Sequence, residues 1–240
     1  MSEISKNQIK LVKSLHLKKF RMENGLFACE GRKVVEELVQ SPIEVVDIYC
    51  EADLMALYPS AIEVSHAEMT RMSNFKSAPG ILAVARIPKI TPMEYSFTSA
   101  LLLDRLNDPG NLGTIARSAA WFGVNEIFLL GETVDPWNPK VIHASMGAVF
   151  NVGIRQADEN FVKQAKQKGY SLIGADMEGI PVKDFQWPEK SILVIGSESH
   201  GISKELRVQI DSFTSIPIVG TGESLNAGVA ASVILNYLSQ

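Results

Sequence analysis

Two apolar runs near the end of the sequence decide the fold. Residues 193–206 read LVIGSESHGISKEL, and residues 216–240 read IPIVGTGESLNAGVAASVILNYLSQ. Each run stops abruptly at glycine and small polar residues, which predicts a buried parallel strand that opens into a loop. Ligands of open α/β sheets bind at the carboxyl ends of such strands. We therefore expect the two loops to wall one pocket, with a helix that starts at residues 224–226.

The segment before these runs repeats the order of strand, turn and helix. ALLL at residues 100–103 predicts a buried strand, and NDPG at residues 107–110 predicts a turn. Asn111 then stands at the N-cap position of a helix that runs to Phe122 and ends at Gly123. Extended segments are expected at 127–130, 149–154, 172–175 and 192–195. This alternation predicts a parallel sheet with helices on both faces.

The first 90 residues predict a smaller α/β unit. Residues 4–20 carry apolar side chains at helical spacing with lysines between them, which is typical of one basic amphipathic helix. Strands predicted near 26–29, 43–50, 62–64 and 81–85 alternate with helices. Prolines and Ser/Thr without a period follow, so we predict a linker at 91–99 between a domain at 1–90 and a domain at 100–240.

The composition is that of an ordinary soluble globular protein, with 46% hydrophobic and 21% charged residues. No apolar run approaches the roughly 20 residues of a membrane span, and the N-terminus has no secretory signal. Cys29 and Cys50 form no CxxC pair, and the histidines have no metal-ligand spacing. These features predict a cytoplasmic protein without a disulfide framework, a metal site or a membrane contact.

Positive charge is concentrated at the N-terminus of an acidic chain. The net charge is −4, yet residues 1–33 hold eight Lys or Arg against three Glu. A basic patch of this kind indicates a polyanionic partner such as RNA. A solvated helix face is the alternative interpretation. The candidate RNA-binding residues are Lys10, Lys13, Lys18, Lys19, Arg21 and Arg32.

Several common sites are missing from the sequence. The dinucleotide fingerprint GxGxxG and the phosphate loop GxxxxGK[ST] do not occur, which disfavours an NAD-dependent oxidoreductase. No serine has a His and an acid at a spacing that would suggest a hydrolase triad. The polar residues that remain are Asn111, Arg117, Glu198 and Asn226, at loops and helix starts. Each also has an ordinary structural interpretation, as a cap, a surface ion pair, a loop acid and a first-turn residue.

Three stretches carry a family resemblance. NDPGNLGTIARSA (107–119), GSESHGIS (196–203) and IPIVGTGESLNAGVAAS (216–232) resemble, in order, the three motifs of the SpoU/TrmH branch of SPOUT RNA methyltransferases. Residues 9–39, which include FACEGRKVVEE, are similar to the small RNA-binding domain that precedes many of these enzymes. The resemblance implies a C-terminal parallel-sheet domain with a trefoil knot and an N-terminal α/β/α domain like a ribosomal protein.

The resemblance also assigns roles to residues. It implies that S-adenosylmethionine is held by Gly196, Ile216, Ile218 and Leu225, largely through the main chain. It implies a catalytic group that acts on a ribose 2′-hydroxyl and consists of Asn111, Arg117, Glu198, Ser224 and Asn226. The family proposal makes the motif-1 arginine the base. A guanidinium rarely loses its proton, so Arg117 as a phosphate clamp is the open alternative.

The leading hypothesis is a two-domain, homodimeric, S-adenosylmethionine-dependent ribose 2′-O-methyltransferase that acts on RNA, with ribosomal RNA favoured by the appended N-terminal domain. A tRNA 2′-O-methyltransferase and a non-catalytic RNA-binding protein that keeps the fold are the alternatives. A nucleotide-binding oxidoreductase is a third, which the missing glycine fingerprint disfavours.

Overall fold

The computed structural model describes residues 4–89, 94–158 and 160–239. The chain divides into two units, Met1–Lys89 with Asp135–Phe150, and Ile90–Val134 with Asn151–Gln240. The middle segment, 135–150, therefore groups with the first unit, although the sequence assigned it to the second domain. Part of the predicted linker, residues 91–93, lies outside the described residues, as does Glu159.

The first unit is built on a four-stranded mixed sheet in the order β1-β4-β2-β3. β1 and β2 pair antiparallel with β4, and β2 pairs parallel with β3. A 3-10 turn at Ala52–Leu54 follows β2. The elements are α1 (Lys6–Ser14), α2 (Lys18–Asn24), β1 (Leu26–Glu30), α3 (Arg32–Gln40), β2 (Val45–Cys50), β3 (Ile62–Glu63), α4 (His66–Met72) and β4 (Ile81–Arg86).

The single helix predicted over residues 4–20 is wrong, because two helices occupy this stretch. The backbone leaves helical geometry at Leu17, where φ is −100° and ψ is 130°. The side chain of Arg21 turns back and donates from Nη1 to the carbonyl oxygen of Leu15, at 2.8 Å. That carbonyl lies at the end of α1, where it has no helical partner. The turn between α1 and α2 is thus fixed by a side chain from the second helix.

The rest of the chain supplies a six-stranded sheet and the helices that cover it. All its strands are parallel, in the order β10-β8-β9-β5-β6-β7. The elements are β5 (Ser99–Asp104), α5 (Pro109–Trp121), β6 (Glu126–Leu130), β7 (Gly153–Ala157), α7 (Phe161–Gln167), β8 (Ser171–Pro181), β9 (Ser191–Ile195), α8 (Lys204–Arg207), β10 (Ser212–Ser215) and α9 (Ala227–Leu238). Helix α6 (Pro139–Ala144) comes between β6 and β7 in the chain but belongs to the first unit.

The α/β class with a parallel sheet, as predicted, is confirmed, and the buried runs form its centre. Leu101–Leu103 of β5 and Leu193–Ile195 of β9 are in register as neighbours, for example Leu103 beside Ile195. Both strands are almost fully buried. Their carboxyl ends therefore meet at one edge of the sheet, where the chain continues into the first and second motif stretches. The trefoil knot stays a prediction.

Three predicted details of this part of the chain are wrong. Asn111 is not the N-cap of α5, because Asp108 takes that position and accepts a hydrogen bond from the Asn111 N–H at 2.8 Å. Residues 216–219 form no strand, since the last strand, β10, ends at Ser215. Pro217 has no N–H to donate to a ladder, and Val219 is 98% exposed. Strand β7 likewise begins only at Gly153, after a 3-10 turn at Ala148–Asn151.

No helix in the described ranges is long and apolar enough to cross a bilayer.

Candidate active site

A side-chain hydrogen bond joins the first and second motif stretches. Asn111 lies in the first turn of α5, which follows β5, and Glu198 lies in the loop after β9. The Nδ2 of Asn111 donates to Oε1 of Glu198 at 2.5 Å. Asn111 is buried, with 5% of its surface exposed, whereas Glu198 is exposed. The amide oxygen of Asn111 and the second carboxylate oxygen of Glu198 remain available as acceptors.

The loop that carries Glu198 is a tight backbone structure. Ser197 and Gly201 exchange two main-chain hydrogen bonds, of 3.0 and 2.9 Å, so the chain folds back on itself. Gly201 adopts a positive φ of 64°, which glycine tolerates best. A Cβ added to Gly196 would lie 2.1 Å from the carbonyl carbon of Gly201. Even an alanine at Gly196 would therefore displace this loop, and Glu198 with it.

Asp104 is a site residue that the sequence reasoning missed. It is the last residue of β5 and is 2% exposed. Its Oδ2 accepts a hydrogen bond from the Ser203 N–H at 2.7 Å, which fixes the chain directly after the Glu198 loop. The sequence did contain a signal for Asp104, which directly follows the apolar run of β5. A carboxylate buried at the end of such a strand needs hydrogen-bond donors.

The third motif stretch is an exposed segment that ends at the N-terminus of α9. Ile218 is 57% exposed and Leu225 is 52% exposed. Ser224 is exposed too, and Ile216 is half-buried. From residue 216 to residue 225, the main chain makes no hydrogen bond with another described residue. Free main-chain groups beside exposed apolar side chains fit the adenosine part of a nucleoside ligand, which needs both edge hydrogen bonds and an apolar wall.

Asn226 caps α9. Its Oδ1 accepts hydrogen bonds from the N–H groups of Gly228 and Val229, at 3.0 and 3.2 Å. The amide oxygen is thereby occupied, and the side-chain NH₂ group remains as a donor. Asn226 can therefore donate a hydrogen bond to a ligand while its oxygen holds the start of the helix.

Arg117 lies on α5 six residues after Asn111. Its side chain is exposed and makes no hydrogen bond or ion pair with any residue in the described part of the chain. Arg117 therefore has no partner in the described part of the chain that would make it one member of a surface ion pair. α5 packs tightly on α9, since Ser118 and Ser232 share a hydrogen bond of 2.6 Å and Gly228 leaves room for Thr114. This packing fixes the helix of Arg117 relative to the helix that Asn226 caps.

Residues 98–236 match the family model described as the SpoU rRNA Methylase family. The chain belongs to this family. Residues 6–83 match a second model, the MRM3-like substrate binding domain. The resemblance identified from the three motif stretches and from residues 9–39 is thereby confirmed.

Individual relatives of the SpoU family cover almost the whole chain. A Bacillus subtilis protein named 23S rRNA (guanosine(2553)-2′-O)-methyltransferase RlmP is 30% identical and covers 98% of both chains. A solved TrmH-family structure from Porphyromonas gingivalis is 30% identical, with a TM-score of 0.88, and covers 99% of this chain and 98% of that one. The SpoU methyltransferase AviRb from Streptomyces viridochromogenes, solved with AdoMet, is 25% identical, with a TM-score of 0.84 and coverage of 98% and 97%.

The predicted RNA-binding cations are in different situations. Lys10 and Lys18 are exposed and have no partner among the described residues. Lys13 donates to the carbonyl oxygen of Ser73 at 2.7 Å. Lys19 is 3.9 Å from Glu23, and Arg32 is 2.8 Å from Glu36, each in a pair on one helix face.

Arg21 does not fit its predicted role as an RNA contact, because it is 2% exposed. Its Nε and Nη2 donate to Oδ2 of Asp135, at 2.9 and 2.6 Å. No local pattern indicates this pair, whose members are 114 positions apart. Arg21 therefore has a structural role in the first unit.

Within the described ranges, no three His, Cys, Asp or Glu side chains are grouped as metal ligands.

Proposed function

We propose that this SpoU-family chain transfers the methyl group of S-adenosylmethionine to a ribose 2′-hydroxyl of ribosomal RNA. The observation that carries the proposal is the hydrogen bond between Asn111 and Glu198, which joins two motif stretches at the carboxyl ends of adjacent parallel strands. The match to RlmP over nearly the full length of both chains favours ribosomal RNA over tRNA.

The cofactor site that we propose uses the loop after β9 and residues 216–225. Main-chain groups next to Gly196, Ile216 and Leu225 would hold the adenosine, and Ile218 would cover the base. S-adenosylmethionine supplies an activated methyl group on a sulfonium, so the protein needs chiefly to position the two reactants. The unpaired main chain and the exposed side chains of Ile218 and Leu225 support this assignment.

The methyl acceptor is a weakly acidic hydroxyl, whose proton would pass to the unoccupied carboxylate oxygen of Glu198 or to water as the new O–C bond forms and the C–S bond breaks. We assign orientation of the ribose to the free acceptors of Asn111 and Glu198 and to the donor group of Asn226, with Ser224 beside it. Arg117 is exposed and unpaired in the described structure, so its N–H donors are available to bind a ligand. We therefore assign it to binding the neighbouring phosphate and stabilising the developing oxyanion rather than to accepting the proton.

The first unit is proposed to hold the RNA. The match of residues 6–83 to a substrate-binding model supports this role for the predicted domain at 1–90, with the linker at 91–99 and the methyltransferase domain at 100–240. Lys10 and Lys18 are the cations best placed to meet phosphates, since both are exposed and unpaired in the described structure. We place this activity in the cytoplasm, because the relative RlmP is a bacterial protein and bacterial ribosomes are assembled there.

The function is tested by incubating the purified chain with labelled S-adenosylmethionine and ribosomal RNA from cells that lack the gene. We expect label at one ribose, located by the resistance of its 3′ phosphodiester to alkali. The matched control is ribosomal RNA from cells that have the gene, which should accept little label because the site is already methylated. Label on a base, label on tRNA only, or no label on any RNA would refute the proposal.

A homodimer formed through the second unit is a further part of this proposal. Trp121, at the end of α5, is 84% exposed, and Val229 on α9 is 46% exposed. A contiguous apolar patch on these two packed helices would mark a protein–protein interface. Sedimentation velocity at micromolar concentration should give twice the 26.3 kDa of the chain. Val229→Asp should shift the protein towards monomer, and a monomeric wild type would contradict the assignment.

A further inference from the structure

The first unit contains a pocket that none of the motif stretches explains. Its volume is about 150 Å³, and its walls come from β1, the turn after α4 and helix α6. Phe75 stands at its rim and is 41% exposed. The ring of His143 meets the ring of Phe75 edge-on, with centroids 5.2 Å apart and planes at 61°. The pocket therefore presents an exposed aromatic pair over a small apolar cavity.

The turn that presents Phe75 is held rigidly. Glu30 is 7% exposed and lies below it. Its Oε2 accepts a hydrogen bond from the hydroxyl of Ser73, and its Oε1 accepts one from the Asn74 N–H at 2.8 Å. The Phe75 N–H donates in turn to Oγ of Ser73, at 3.0 Å. A buried carboxylate and the Ser73 hydroxyl thus fix three consecutive residues. These hydrogen bonds hold Phe75 in its exposed position.

Lysine residues lie on the segments that form this pocket or are bonded to them. Lys140 lines the pocket from α6 and is exposed, without an ion pair in the described structure. Lys13 donates to the carbonyl oxygen of Ser73 and so brings a second ammonium group to the same turn. Lys76 follows Phe75 directly and is exposed. An aromatic face with ammonium groups beside it complements a nucleobase and the phosphates that flank it.

Reactive chemistry does not account for the pocket. Cys29 lines it, but burial raises the pKa of this thiol to about 12, so it stays protonated and is a poor nucleophile and metal ligand. The carboxylate of Glu30 is already occupied by the turn. The groups left to meet a ligand are the aromatic rings, Lys140 and the polar side chain of Asn74.

We propose that this pocket binds an unpaired nucleobase of the substrate RNA, stacked on Phe75, with Lys140 on an adjoining phosphate. The inference rests on the proposed function, since it concerns how the same RNA is held. Base stacking on an aromatic side chain needs an unstacked base, so the pocket would select a single-stranded or bulged position. Asn74 can contact the edge of that base.

The test uses the full chain and a fluorescein-labelled single-stranded RNA of twelve nucleotides, with the corresponding duplex as a second probe. Phe75→Leu keeps an apolar side chain but removes the aromatic face, and should weaken binding of the single strand by roughly 5- to 150-fold. Phe75→Trp should retain wild-type affinity. Leu57→Ala removes another exposed apolar side chain of the same unit, outside the pocket, and should change nothing. Duplex affinity should be the same for all four proteins.

A spectroscopic readout makes stacking itself visible. An oligonucleotide with one 2-aminopurine should lose fluorescence on the wild type and on Phe75→Trp, and should keep it on Phe75→Leu. Equal single-strand affinity and equal quenching for wild type and Phe75→Leu would overturn the proposal, as would a wild type that binds no single strand at low salt. Thermal melting of each variant identifies a folding defect. If Phe75→Leu does not fold, two other variants take its place. Phe75→Tyr should retain the quenching, and Lys140→Ala should bind the single strand with a smaller salt dependence.

Methyl transfer to ribosomal RNA, measured in parallel, separates the two proposals. Transfer by the wild type together with unaltered binding by Phe75→Leu would refute the pocket alone. Stacking on Phe75 without transfer to any RNA would refute the proposed enzymatic function and leave the pocket in place. Loss of affinity for a peptide from a ribosomal protein, with RNA binding unchanged, would assign Phe75 to a protein contact and refute the pocket as well.

Discussion

Arg117→Ala is expected to lower methyl transfer by roughly 10²–10⁴-fold, the range for loss of a group that acts on the reacting atoms. Its affinity for S-adenosylmethionine should stay close to that of the wild type. The reason is the position of Arg117, which projects from α5 into solvent without a partner in the described structure. The proposed cofactor contacts lie instead in the loop after β9 and in residues 216–225. Loss of the guanidinium should therefore affect the ribose and not the cofactor.

The measurement pairs calorimetry of cofactor binding with single-turnover methylation of ribosomal RNA. Arg117→Lys distinguishes two roles, because lysine keeps the charge but loses the planar fork that binds a phosphate through two hydrogen bonds. A substantial recovery of rate in Arg117→Lys would favour stabilisation by charge alone. Lys163→Ala is the matched control, since it removes one exposed positive charge from α7 of the same unit. If Arg117→Ala methylates at the wild-type rate, Arg117 is a surface residue without a catalytic role.

The sequence predicted the parallel sheet well, because its strands are apolar runs bounded by glycine and polar residues. Leu101, Leu102, Leu193 and Val194 are fully buried in the structure. The same rule failed for residues 216–219, where Ile218 and Val219 are exposed and Ile216 is only half-buried. Apolar character alone does not distinguish a strand in the core from a loop whose apolar side chains bind a ligand or a partner.

Other failures come from contacts between residues far apart in the sequence. Asn111 was predicted to cap its own helix, a local interaction, whereas its side chain bonds to Glu198, 87 positions later. Arg21 was predicted to face RNA because basic helix residues are usually solvated. Its burial depends on Asp135, which local patterns cannot reveal. Residues 135–150 joined the first unit for the same reason, since their partners there precede them by about a hundred positions.

That long-range ion pair gives the largest stability effect that we expect. Arg21 is 2% exposed and Asp135 is 8% exposed, so neither charge is solvated. Besides Asp135, the guanidinium donates to the carbonyl oxygen of Leu15 at 2.8 Å, and Oδ1 of Asp135 accepts from the Trp137 N–H at 3.0 Å. Removal of one partner from such a pair leaves a buried charge without compensation. Asp135→Ala should therefore lower the free energy of unfolding of the first unit by about 3–5 kcal/mol.

The same geometry shows why the full chain is the right material for these tests. A fragment that ends at residue 90 lacks Asp135, and it also lacks Trp137 and Phe150, whose rings stack on Phe27 with centroids 4.8 and 5.7 Å away. Phe27 is fully buried and Arg21 nearly so. The fragment would expose that ring and leave the guanidinium without its counterion. We expect it to be far less stable than the first unit in the intact chain.

Denaturant unfolding followed by tryptophan fluorescence measures the effect, since Trp137 lies directly beside the pair. The control is Glu44→Ala, which breaks an exposed ion pair of the same unit, with 65% of the Glu44 side chain and 56% of the Arg86 side chain exposed. An exposed pair contributes only about 0–1 kcal/mol. Replacing both charges, in Arg21→Met with Asp135→Leu, should recover much of the stability, because no unpaired charge then remains buried. If Asp135→Ala unfolds at the same denaturant concentration as Glu44→Ala, the pair does not hold residues 135–150 to the first unit, and the stacking on Phe27 must do so.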